Sequence, residues 1–269
     1  MRAAFRAVGA VAPGVAARWA ETIFCTPPRR RGGDEASLAS VVRFTVPSQG
    51  QLLSGWEWGS GPTVVLVHGW GSRAARLGTL AGALVEAGFR VVAYDAPAHG
   101  GSTGRFASLP EFARALRDVA DRVGPIHGLV GHSLGGAAAA MAMRGGVQAR
   151  RVVLLAPPAD VRIFSDLFAR ALAIAPAVQE TMHRNLERRL RIVWDDLHIP
   201  TLVRELPAAA LVIHDRDDAD VPFAHGEEIV GAWAGSRLET TSGLGHRALL
   251  RDPAVIARTV EFLREGGAA

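Results

Sequence analysis

The stretch HGLVGHSLGGAAAAMA, residues 127–142, sets one serine among glycines, after an apolar run and before a run of alanines. Ile126–Val130 has the continuous apolar character of a strand buried on both faces. The alanines that follow favour a helix, and their small side chains let it lie close to a sheet. Gly131 and Gly135 flank Ser133 at the Gly-x-Ser-x-Gly spacing. That spacing suits a sharp strand-to-helix turn holding the serine in strained backbone geometry. The N–H groups that open such a helix favour negative charge near the serine oxygen. Ser133 is thus a nucleophile or simply a small residue that permits close packing. A chain with 30 glycines yields the pentapeptide by chance often enough that the remaining sequence has to decide.

On either side, short apolar runs recur: TVVLV (63–67), RVVAY (90–94), RVVLL (151–155) and AAALVIH (208–214), with RLETT (237–241) a weaker last strand. Before them, VVRFTV (41–46) and QLLSGWEW (51–58) flank a Pro-Ser-Gln-Gly turn and read as an antiparallel hairpin. Helical patterns fill 73–87, 109–123, 134–145, 224–234 and 253–264. The alternation predicts an α/β sandwich of about eight mostly parallel strands with helices on both faces. One segment breaks the rhythm. Between Leu155 and Ala208, Ile163, Phe164, Leu167, Phe168 and Leu172 recur at helical spacing, as do Met182, Leu186, Leu190 and Trp194. The second set shares its helix with Arg184, Arg188, Arg189 and Arg191. This predicts a small helical cap over about 158–206 within a domain spanning 36–265. Residues 1–35 form an extension: a short amphipathic helix over 1–24, then the joint TPPRRRGGDE (26–35).

The 269-residue chain can hold one large core, and its 49% hydrophobic and 21% charged residues are ordinary for a folded domain. All 30 basic residues are Arg, yet the net charge is only +4 and no basic, aromatic-interleaved stripe accompanies them, so nucleic acid is not an expected partner. The single Cys25 excludes an intramolecular disulfide framework. Pro13, Gly14 and Arg18 leave too short an apolar core for a secretory leader, and no run of 18 apolar residues occurs. The expectation is a cytoplasmic protein without membrane contact. Its oligomeric state is left open.

A serine nucleophile needs a base, and the base an orienting acid. HDRDDADVP offers Asp215, Asp217, Asp218 and Asp220 just after a late strand. Asp218, three residues before Val221, is the preferred acid, with Asp217 second; most of the four must simply serve a solvated loop. SGLGHRALL places His246 on a glycine-bearing loop before the last helix, where it can point across the carboxyl edge of the sheet. His225 reads as a surface residue at a helix start. His132, adjacent to Ser133, points away from it. His68 and His99 read as structural. In HGWG (68–71), Gly69 and Gly71 let the chain turn back, so that the N–H of Trp70 can join that of Leu134 in holding an oxyanion.

In this order and spacing, HGWG, YDAPAHGGS (94–102), GHSLGG (131–136), HDRDDADVP (214–222) and GLGH (243–246) resemble the α/β-hydrolase superfamily, in its compact esterase, lipase and serine-aminopeptidase-like branch. The resemblance spans roughly 40–265. It implies Ser133 as nucleophile, Asp218 as acid, His246 as base, and Trp70 and Leu134 as oxyanion donors. Asp95 and His99 would shape the site. One departure is Asp215, where the superfamily commonly has Gly. The implied chemistry is ester hydrolysis through an acyl-enzyme on a small-molecule substrate, with no metal or organic cofactor. Phe164, Leu167 and Phe168 on the cap suggest an apolar acyl group. A peptidase, a thioesterase or a carbon–carbon bond hydrolase would use the same triad. A non-catalytic binding protein and an Arg-mediated membrane-surface protein are the alternatives of other classes.

Overall fold

A computed structural model describes residues 1–28 and 41–265. The charged part of the expected 26–35 joint, and the boundary at 35/36, lie outside the described residues.

The sheet has eight strands: β1 (Val42–Ser48), β2 (Gln51–Trp58), β3 (Thr63–Val67), β4 (Arg90–Tyr94), β5 (Ile126–His132), β6 (Ala149–Leu155), β7 (Ala209–Asp215) and β8 (Ser236–Thr241). Their order is β1-β2-β4-β3-β5-β6-β7-β8. β2 runs antiparallel to both β1 and β4, and every other pairing is parallel. The β1–β2 turn places Gln49 and Gly50 at φ 49° and 76°, the left-handed pair that a two-residue hairpin demands.

Side chains alternate across the parallel strands. Val65, Val67, Leu129 and Val212 enter one core, while Val64, Leu66, Val130 and Ile213 enter the other. The first core is covered by α4 (Leu109–Val123), α5 (Leu134–Arg144), α8 (Ile199–Val203) and α9 (Ala224–Ala232). The second is covered by α3 (Gly78–Glu86) and α10 (Pro253–Arg264). Two-sided burial is why these strands read as unbroken apolar runs, each buried Val or Leu contributing about 1.5–3 kcal/mol. Ala137–Ala140 are fully buried, so α5 lies against the sheet as its alanines suggest. Ser108 caps α4, accepting from the Glu111 N–H.

Between β6 and β7 lie α6 (Arg162–Leu172), α7 (Pro176–Leu190), a helical turn at Trp194–Leu197, and α8. The N-terminal segment differs from the single helix expected. Pro13 has no N–H and disfavours helical backbone at Ala12, so the segment splits into α1 (Arg2–Val11) and α2 (Pro13–Phe24). Both helices pack on α6 and α7. Phe5, Ala16, Ala17 and Ala20 share a third apolar cluster with Ala169, Val178, Met182 and Leu186. Buried Glu21 accepts from Arg189 at 2.9 Å, and that guanidinium lies over the Phe106 ring at 3.9 Å. Among the described residues, no helix is long and apolar enough to cross a membrane.

Candidate active site

β5 ends at His132, and Ser133 takes φ 54° and ψ −126° before α5 begins. This left-handed backbone is costly for a residue with a side chain, and the surroundings enforce it. The Ser133 N–H is tied to Leu155 O at 2.9 Å, while its carbonyl accepts from Gly136 N at 2.8 Å. The two flanking glycines are required by close approach. A Cβ on Gly131 would lie 2.6 Å from Gly135 O, and one on Gly135 would lie 2.4 Å from Val67 O. The pentapeptide is therefore a strained elbow at the carboxyl edge of the sheet. Ser133 Oγ makes no hydrogen bond among the described residues; bonds from a serine to a base commonly tighten only when substrate is bound.

The loop after β3 is held by two neutral histidines. His68 Nε2 accepts from Ala96 N at 2.9 Å and its Nδ1–H donates to Gly69 O at 2.7 Å. His99 Nε2 accepts from Gly71 N at 3.0 Å and its Nδ1–H donates to Pro97 O at 2.8 Å. Asp95 accepts from Ala74 N and Gly101 N, each at 2.8 Å. These residues shape the loop rather than face outward as reactants. The N–H groups of Trp70 and Leu134 have no acceptor among the described residues, and Leu134 N–H opens α5. Helix starts leave such donors free.

The aspartates after β7 divide by geometry. Asp218 Oδ2 lies 2.8 Å from His246 Nδ1, while Asp218 Oδ1 accepts from Asp220 N at 2.9 Å and Val221 N at 2.8 Å. A carboxylate only accepts, so His246 Nδ1 carries a proton, and in the neutral imidazole the lone pair is on Nε2. Burial raises the Asp218 pKa, yet bonds from His214, His246 and Val221 N–H overcome it and hold the carboxyl well below the usual range. Asp217 instead accepts from Gly243 N at 2.8 Å, and exposed Asp220 pairs with Arg247. Asp215 is no solvated loop residue. It is fully buried, accepting from Thr241 Oγ1 at 2.6 Å and Leu244 N at 3.1 Å, and so supports the loop that carries His246.

Three histidines depart from their sequence reading or were missed by it. The His132 Nε2–H donates to the His246 carbonyl at 2.9 Å, and the two rings lie 4.8 Å apart. His214, fully buried on β7, reaches Asp218 Oδ2 at 3.5 Å and Val221 O at 3.0 Å. His225 is half-buried, and its Nδ1 accepts from Ala159 N at 3.0 Å, pinning the start of the β6–β7 insertion. A polar residue ending an apolar strand is the only sequence signal for the first two. The cap residues separate. Phe164 packs against the core that includes Leu134, Leu167 is 43% exposed, and Phe168 faces Phe24 of α2 with ring centroids 5.3 Å apart.

Among solved structures that share the fold, an esterase from Pyrococcus furiosus superimposes with a TM-score of 0.67 at 21% identity, over 89% of this chain and 98% of that one. An esterase from Exiguobacterium antarcticum gives 0.66 at 17%, over 83% and 100%. A meta-cleavage product hydrolase from Pseudomonas fluorescens gives 0.65 at 20%, over 83% and 98%. No curated protein sequence matches the chain. The profile described as serine aminopeptidase, S33, matches residues 61–201, which take in the loop after β3, the elbow and most of the insertion. The chain belongs to this serine aminopeptidase S33 family of α/β-hydrolases.

Proposed function

We propose that the protein is a serine hydrolase that cleaves an ester-type bond of a small apolar acyl substrate through an acyl-enzyme. Ser133 is the nucleophile, His246 the base and Asp218 the residue that orients it. The observation that carries the reading is the 2.8 Å bond between buried Asp218 and His246 Nδ1, which leaves Nε2 free to take a proton. His246 Nε2 removes the Ser133 proton as the oxygen attacks the carbonyl carbon, and the carbonyl oxygen becomes the oxyanion. The free N–H groups of Trp70 and Leu134 receive that charge, each contributing about 3 kcal/mol to the barrier reduction. His246 then gives its proton to the leaving oxygen. Water repeats the sequence on the acyl-enzyme. Phe164, which packs against the core that also holds Leu134, is the cap residue best suited to meet the acyl group; Phe168 is engaged by α2 and Leu167 is exposed.

The test is labelling by a fluorophosphonate probe, followed by rates on p-nitrophenyl esters of increasing chain length. Wild type is expected to label, while Ser133→Ala and His246→Ala do not. Undiminished labelling of Ser133→Ala overturns the nucleophile assignment. The family's description supports a second reading, an aminopeptidase. Turnover of aminoacyl arylamides with none of the esters selects it.

A further inference from the structure

We propose that His132 is a positioning residue for this reaction: by donating to the main-chain carbonyl of His246 it registers the base-bearing loop against the elbow that carries Ser133. The inference rests on the hydrolase reading above.

The base loop is held from two sides. Toward β7, Asp215 and Asp217 bind Thr241, Leu244 and Gly243, all upstream of the histidine. Toward β5, the His132 bond is made to His246 itself, at 2.9 Å and across 114 residues of chain. Because His132 is covalently joined to Ser133, a shift of either loop changes the distance between nucleophile and base. The oxyanion loop meets the same point. A Cβ on Gly69 would lie 3.0 Å from Ser133 Cβ and 3.4 Å from His132 Nδ1.

Stability alone does not explain an imidazole here. His132 is buried, and its Nδ1 has no partner among the described residues. An unpaired buried acceptor is costly, and an apolar ring of similar size would avoid it. The ring is also fixed in its role as donor. Burial first, then the neighbouring His246, push its ionisation down to about 3, against a weaker pull from Asp218, and His68 acts in the same sense as His246. It is neutral at working pH, and the His246 carbonyl assigns its proton to Nε2.

The experiment compares His132→Phe, His132→Asn and His132→Gln by fluorophosphonate labelling rate, ester kcat and KM, and Tm. Gln places an amide N–H near the position of Nε2, whereas the Asn amide falls short and Phe has no donor. Phe and Asn are expected to lower kcat and labelling rate about 10- to 100-fold, the usual consequence of misplacing a reacting group by about an ångström. KM should change little, and Gln should recover at least about tenfold over Asn. Equal loss in Gln and Asn overturns the proposal, as does Phe activity within a few-fold of wild type. If Phe fails to fold, the Gln–Asn contrast carries the test. Wild type that labels at no serine overturns the underlying hydrolase reading instead, and this inference falls with it.

Discussion

Asp218→Asn is the sharpest probe of the proposed chemistry, because the structure leaves an amide only one way to sit. Asp218 Oδ1 accepts from two backbone N–H groups, Asp220 at 2.9 Å and Val221 at 2.8 Å. An amide NH2 cannot occupy that position without facing two backbone donors that have no other tautomer, whereas the donors at Oδ2, His246 and the more distant His214, are imidazoles. The amide oxygen must therefore take it, and the NH2 falls where Oδ2 was, 2.8 Å from His246 Nδ1. Two donors then meet, and the imidazole relieves the conflict by moving its proton to Nε2. That tautomer cannot accept the Ser133 proton. A base locked in the wrong tautomer costs roughly 10⁴ in kcat, or about 5.5 kcal/mol of barrier. Asp217→Asn is the contrast: its partly exposed carboxylate binds only Gly243 N among the described residues, and an amide oxygen can replace it. Its rate is expected within about twofold of wild type. Both variants are assayed by p-nitrophenyl ester hydrolysis, with folding checked by circular dichroism above pH 6. The depressed Asp218 carboxyl contributes stability above the unfolded carboxylate range, near pH 4, and loses it as pH falls through the folded value. Asp218→Asn is thus also somewhat less stable at neutral pH. Activity of Asp218→Asn within tenfold of wild type, or greater damage in Asp217→Asn, refutes the reasoning.

Gly135→Ala should fail by collision: its Cβ would sit 2.4 Å from Val67 O in the middle of the sheet, so α5 must lift and carry the elbow with it. A Tm drop corresponding to about 1–3 kcal/mol is expected, whereas Gly231→Ala, on a helix with open space around it, should stabilise by about 0.5–1 kcal/mol. Equal Tm values for the two variants would contradict the packing argument. Glu111→Gln tests a pH effect at the start of α4, where burial raises the carboxyl to about 7 against the pull of Arg114, the Ser108 bond and Arg189. The folded state holds that proton longer than the unfolded one, so the wild type loses stability as pH rises from about 4.5 to 7. The Gln variant should gain Tm relative to wild type at pH 8 and show no gain at pH 4; a pH-independent difference would refute the assignment.

The strands, the elbow and the loop that carries His246 were legible in the sequence because each is specified locally. A strand buried on both faces needs an unbroken apolar run, as TVVLV shows, and a turn that presses helix against strand needs glycine at positions 131 and 135. Chain order and loop position then point to His246, over His225, as the expected base. The choice among four neighbouring aspartates was not local. Asp215, Asp217, Asp218 and Asp220 have the same chemistry, and only the turn after β7 sends one to His246, one under the loop that carries it and two toward the surface. The roles of His132 and His214 were hidden for the same reason, since their partners lie on other segments. Nor did the amphipathic N-terminus announce its partner. A stripe such as Phe5, Ala16 and Ala20 shows that something covers it, and the fold decides that α6 and α7 do. Backbone geometry and burial are written residue by residue along the chain. Which polar groups meet is set by how distant segments fold against one another, because hydrogen bonds act only at contact distance.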